Sequence, residues 1–204
     1  MPVVRAPSAE LAVRATDAVL AGGISVFEIT MTVPGAVEVI RLLTQRLRGQ
    51  ALIGAGTVLT PEDALACIDA GAAFIVGPGL NLATIAAAHQ RDVPVMPGAL
   101  TPTEVITAWQ AGADMVKIFP CGALGGAKYL RALRGPLPQV RMLPTGGVSA
   151  TTAADYIAAG ASALGVGSEL IDTTALAAGQ DRALTERAQE LVAVVAAARA
   201  KLIG

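Results

Sequence analysis

Lys117 is one of three lysines in the chain, and it lies inside the apolar run Met115-Val116-Lys117-Ile118-Phe119-Pro120. Lysine is almost never fully buried unless paired, so an ammonium on a short apolar strand points to amine chemistry. The matching reaction is attack on a carbonyl carbon to form a Schiff base. A free lysine with a pKa near 10.4 is neutral only about once in 10³ at pH 7, and an apolar pocket moves that balance towards the nucleophile. A partner of opposite sign lies in a second run, Val26-Phe27-Glu28-Ile29-Thr30. Alternation along a strand puts Glu28 with Val26 and Thr30 on one face and the greasier Phe27 and Ile29 on the other, which turns Glu28 inward. The same parity turns Val116 and Ile118 outward and Lys117 inward. Such a pair reads either as a structural ion pair or as a nucleophile with a proton carrier. Desolvating both charges costs several kcal/mol each, which hydrophobic residues at these positions would avoid, so the functional reading is preferred. A carboxylate in direct contact favours the ammonium, and the expectation is therefore that Glu28 acts through a water.

Two glycine-rich turns add an anion site. They are Thr145-Gly146-Gly147-Val148-Ser149 and Gly165-Val166-Gly167-Ser168. Backbone amides of such turns, and of a short helix expected to start near Ser168, can face a phosphate without a basic side chain. A third glycine cluster, Gly54-Ala55-Gly56-Thr57, lacks the third glycine and the acidic partner of a dinucleotide fingerprint. His89 is the only histidine and lies in the helical run Ala86-Ala87-Ala88-His89-Gln90, away from any Cys/His/Asp cluster, so it reads as a surface residue and no metal site is expected. Trp109 reads as a packing residue.

The elements that must position these groups follow from the pattern. Short β-branched runs alternate with Ala/Leu-rich helical stretches, as in a parallel sheet built from βα units. Eight strands are expected, near Val3–Arg5, Val26–Thr30, Leu52–Ala55, Phe74–Gly77, Val95–Pro97, Met115–Ile118, Arg141–Leu143 and Leu164–Val166. Helix starts are marked by Thr60-Pro61-Glu62-Asp63, Thr101-Pro102-Thr103-Glu104 and Ser149-Ala150, and a last helix spans about Leu184–Leu202. The dipeptides Ala21-Gly22, Ala70-Gly71, Ala111-Gly112 and Ala159-Gly160 each end a helix before an even-numbered strand, where glycine suits a left-handed stop. Eight units favour a closed (β/α)8 TIM barrel, an α/β fold, over an open doubly wound sheet. Barrel chemistry gathers at the carboxyl ends of the strands, and phosphate sits after strands seven and eight, where both turns fall.

Composition sets the remaining bounds. A chain of 204 residues, 53% hydrophobic and 15% charged, can fill one sizeable core, so one domain over residues 1–204 is expected. The net charge is −1 with no basic stripe, which argues against nucleic acid and membrane partners. Cys67 and Cys121 belong to no CxxC pair and read as free thiols in a reducing cytoplasm. The opening Met-Pro-Val-Val-Arg-Ala-Pro lacks the apolar core of a signal peptide. The charge-free stretch from Ala70 to Gln90 is broken by Gly77-Pro78-Gly79 and reads as strand, turn and helix.

The ordered set Phe27-Glu28-Ile29-Thr30, Gly54-Ala55-Gly56-Thr57-Val58, Val76-Gly77-Pro78-Gly79, Met96-Pro97-Gly98, Val116-Lys117-Ile118-Phe119-Pro120, Pro144-Thr145-Gly146-Gly147-Val148 and Gly165-Val166-Gly167-Ser168 covers nearly the whole chain. It resembles the class I aldolases that cleave 2-keto-3-deoxy-6-phosphogluconate (KDPG), including the related 4-hydroxy-2-oxoglutarate aldolases. The resemblance implies that Lys117 forms the imine with the keto carbon and that Glu28 is the acid/base. It implies that Thr57, Pro78 and Phe119 surround the pyruvyl part of the substrate, and that Gly146, Gly147 and Ser168 hold the phosphate. Substrates are then 2-keto acids yielding pyruvate, no cofactor is needed, and the assembly is a homotrimer.

Two departures from the family pattern stand out. Many members carry an arginine where this chain has Thr32, and Arg5 at the end of strand one is the cation able to replace it. The first strand begins within five residues of Met1, so the barrel is expected to lack the usual leading N-terminal helix. Thr145 resembles the gluconate-type enzymes, whereas relatives acting on the galactonate epimer carry an apolar residue there. Besides the galactonate epimer, the alternatives are a catalytically silent barrel serving as a scaffold and a metal-dependent pyruvate aldolase.

Overall fold

The computed structural model describes residues 1–203. β1 (Val3–Val4), β2 (Val26–Thr30), β3 (Leu52–Gly56), β4 (Ile75–Val76) and β5 (Val95–Met96) pair in that order in one sheet, and β6 (Gly98–Ala99), β7 (Val116–Ile118) and β8 (Met142–Pro144) pair in a second. All the ladders are parallel, and helices separate successive strands except β5 and β6, which is the α/β architecture of a (β/α)8 barrel.

Two staves differ from expectation. β5 and β6 are one stave interrupted at Pro97, which has no N–H to give to a ladder, although its carbonyl still accepts from the Lys117 amide at 2.9 Å. The expected strand Leu164–Val166 is instead two single bridges, Thr145 with Gly165 and Pro2 with Val166. Its successive residues pair with opposite neighbours, so neither side builds a ladder. These bridges still join β8 to β1, with the Val3 amide donating to the Val166 carbonyl at 2.8 Å and the Val166 amide to that of Met1 at 3.0 Å.

The helices are α1 (Ala9–Ala21), α2 (Ala36–Arg46), α3 (Pro61–Asp69), α4 (Leu82–His89), α5 (Pro102–Gln110), α6 (Ala127–Arg134), α7 (Ala150–Ala158), α8 (Thr173–Ala177) and α9 (Asp181–Ile203). Their starts follow the side-chain signals. The Thr60 hydroxyl accepts from the Asp63 amide at 3.1 Å, and Thr101 with Glu104 forms a full capping box on α5. Gly71, Gly112 and Gly160 take φ of +101°, +91° and +91° just past their helices, as the repeat predicts. The first repeat is displaced by one residue: Gly23, at φ +93°, makes the left-handed turn after α1. Gly22 is there for packing, since a Cβ on it would lie 2.5 Å from that of Ala188 on α9.

α9 crosses α1 and α7 and is pinned by an Arg14–Asp181 ion pair at 2.9 Å and by the Thr185 hydroxyl, which donates to the Ala18 carbonyl at 2.8 Å. The short helix expected near Ser168 begins later, as α8, where Asp172 accepts from the Thr174 and Ala175 amides. Phe27, Ile29, Ile53, Ile75, Ile118 and Met142 are fully buried in one continuous core. Full burial of each such side chain contributes about 1.5–3 kcal/mol. Trp109, in the last turn of α5, is half-buried, and the Arg141 guanidinium just before β8 stands 5.9 Å from its ring. Among the described residues no helix is long and apolar enough to cross a membrane.

Candidate active site

The carboxyl ends of the staves open on a cavity of about 790 Å³, within the range usual for small-molecule sites. Lys117, in the middle of β7, reaches its floor and is 4% exposed. The Lys117 ammonium stands 3.4 Å from Glu28 Oε1 on β2 and 5.6 Å from the Phe119 ring. This contact is direct, where the sequence led us to expect an intervening water. It is nevertheless longer than the 2.7–2.9 Å of a tight charged hydrogen bond. Glu28 is 0% exposed and lies beneath the cavity floor, with Oε2 lacking any hydrogen-bond partner. Burial pushes the Glu28 carboxyl above the ordinary carboxylate range, with Lys117 and, more weakly, Arg5 opposing the shift.

The walls bring together the remaining residues singled out from sequence. Thr57, just past β3, lines the cavity with φ +57°. That left-handed conformation is a genuine outlier for a β-branched residue, and such strain costs about 1–3 kcal/mol. Pro78 and Phe119 line the same wall, and Phe119 remains 39% exposed at the mouth. Thr145 is buried with its hydroxyl unpartnered, in a space that exists because Gly165 has no side chain; a Cβ there would lie 2.2 Å from Thr145 Oγ1. Gly146 and Gly147 follow at φ +86° and +74°, and Ser168 lines the same cavity. Among the described residues the amides of Gly146, Gly147 and Ser168 have no backbone acceptor, which leaves donors for an anion.

Arg5 is exposed on the cavity wall just after β1. Thr32 also lines the cavity, with its hydroxyl 2.8 Å from that of Thr30. Sequence reasoning missed Glu169, a wall residue whose position directly after the Ser168 turn was the available signal. It also missed any use for Gly54 and Gly56. His89 is exposed and faces Asp114 at 3.4 Å, well apart from this cavity. Cys67 and Cys121 are buried and free, and burial pushes the Cys67 thiol up to about 11. Among the described residues no group of three His, Cys, Asp or Glu could hold a metal ion.

A family model described as "Aldolase: KDPG and KHG aldolase" matches residues 1–186, a span containing every residue of this site. The chain belongs to the KDPG and KHG aldolase family. The KHG/KDPG aldolase of Escherichia coli K12 is 38% identical over 192 residues, covering 94% of this chain and 90% of the relative. A Legionella pneumophila KDPG aldolase, solved with pyruvate captured as a covalent carbinolamine intermediate, superposes with a TM-score of 0.84 at 31% identity, over 93% of each chain. A cube-shaped protein cage designed by fusing symmetric oligomeric domains superposes with a TM-score of 0.87 at 31% identity, over 98% of this chain and 73% of that one. Within the aldolase family, then, the inward lysine on β7 and the buried glutamate on β2 are the chain's own candidates for the chemistry.

Proposed function

We propose that the protein is a Schiff-base aldolase that cleaves KDPG to pyruvate and glyceraldehyde 3-phosphate, and 4-hydroxy-2-oxoglutarate to pyruvate and glyoxylate. The observation that carries this reading is Lys117, an amine at the floor of the cavity beside the buried Glu28. The Lys117 amine adds to the keto carbon, and loss of water gives a protonated imine. Glu28 takes the proton of the C4 hydroxyl through a relaying water as the C3–C4 bond breaks, and the bond electrons pass through C3 into the imine to give an enamine. The aldehyde departs. Glu28 returns its proton, which is delivered to C3 of the enamine, and water hydrolyses the resulting pyruvyl imine to pyruvate and free Lys117.

The cavity divides by chemistry. Thr57, Pro78 and Phe119 enclose the pyruvyl half, and Arg5 meets the substrate carboxylate in place of an arginine at Thr32. Gly146, Gly147 and Ser168 take the phosphate through their free amides and the serine hydroxyl. Thr145, a cavity-lining threonine with an unpartnered hydroxyl, supports the gluconate epimer over the galactonate one. The carbinolamine captured in the Legionella relative supports a covalent route. The two free, buried thiols suit the reducing cytoplasm.

Incubation with pyruvate and borohydride, followed by digestion and mass spectrometry, is expected to place a reduced pyruvyl adduct on Lys117 and to find none in Lys117→Arg. An unmodified Lys117 under turnover conditions would end the aldolase reading in favour of a silent barrel.

A further inference from the structure

The Gly54-Ala55-Gly56 cluster on β3 is left without a role by the cavity lining, and its two glycines are not needed for backbone reasons, because neither takes a positive φ. Space is what each provides. A Cβ on Gly54 would lie 2.2 Å from the Phe74 ring, which is core packing. A Cβ on Gly56 would lie 2.0 Å from Glu28 Oε1, 2.2 Å from its Cγ and 2.3 Å from its Cδ. Real Cβ atoms essentially never approach a neighbour within 3.0 Å, so the whole outer half of the Glu28 side chain rests on the bare Cα of Gly56. Glu28 has little room to yield, being fully buried with Oε1 on Lys117.

We propose that Gly56 is a positioning residue: its missing side chain is the seat that holds the Glu28 carboxylate against Lys117. This rests on the reading of Glu28 as the proton carrier. The strained Thr57 follows immediately in the chain, so the end of β3 serves the site twice, once by supplying a wall and once by leaving a space. A methyl group at position 56 displaces the carboxylate from the reacting atoms, and a misplacement of about 1 Å costs roughly 100-fold in rate.

The test compares KDPG cleavage, its pH profile and the melting temperature for wild type, Gly56→Ala, Glu28→Asp, the double variant Gly56→Ala/Glu28→Asp, Gly54→Ala and Glu28→Gln. Gly56→Ala is expected to lose roughly 100-fold in kcat, with the acid limb of the pH profile moved and KM changed little. Shortening the acid by one carbon vacates the seat, so the double variant is expected to recover roughly tenfold over Gly56→Ala. Gly54→Ala, which meets Phe74 instead, is expected to lower the melting temperature and leave the acid limb in place. Additive losses in the double variant, or a Gly56→Ala enzyme with wild-type kcat and pH profile, would overturn the proposal. If Gly56→Ala is too unstable to assay, the double variant decides: folded, active protein supports the seat, and failure to recover overturns it. Full turnover in Glu28→Gln would instead remove the underlying reading of Glu28, a separate failure.

Discussion

At the scale of single residues, the site turns on a fully buried carboxylate. Burial raises the Glu28 pKa, with Lys117 opposing but not cancelling the effect. The sign for stability follows: a raised folded-state pKa contributes stability that is full below the ordinary carboxylate range and is lost as the pH climbs through the folded value. Glu28→Gln carries no such titration, so the melting temperature of wild type minus that of the variant is expected to fall from acidic to neutral pH. For catalysis, Glu28 must be ionised to accept the C4 hydroxyl proton, so the acid limb of kcat is expected above the usual carboxylate range. The glutamine variant is expected to lose that limb together with roughly 10²–10⁴-fold in rate, as measured across a pH series. An unchanged limb in the variant would assign it to another group.

At the scale of elements, short strands need stiff helix starts to hold their ends in place. Thr101 and Glu104 cap α5 reciprocally, and Glu104 also accepts from the Leu100 amide at 2.9 Å, fixing the turn between β6 and α5. Those amides hold the Glu104 carboxyl below the ordinary range. Thr101→Ala is expected to cost about 1 kcal/mol, or a melting temperature about 2–4 °C lower, read by thermal unfolding. That cap was legible because its residues are adjacent in sequence, and Lys117 and Glu28 were legible because charge in an apolar alternating run breaks the pattern. The split at Pro97 and the two bridges at Gly165 and Val166 were not, since pairing depends on which neighbour each amide meets. Nor could alternation give the 3.4 Å Lys117–Glu28 contact, because it fixes which face a side chain takes and says nothing of distance across a barrel. Gly56 escaped for the same reason: the space it leaves is filled from another strand.

At the scale of the whole molecule, we propose that the chain assembles as the homotrimer that the family resemblance implies. Light scattering on the eluting protein is expected to give three times the 20.5 kDa chain mass, and a value of one chain mass would exclude it. The fold separates its two ends: the cavity that holds Lys117 opens at the carboxyl ends of the staves, while Trp109 and Arg141 meet at the other. Because Trp109 is the only indole in the chain, the protein carries an intrinsic fluorophore that is remote from its own reaction. Trp109 does not line the cavity, so its emission is expected to report whether α5 remains docked beside β8 and to stay constant when pyruvate is added.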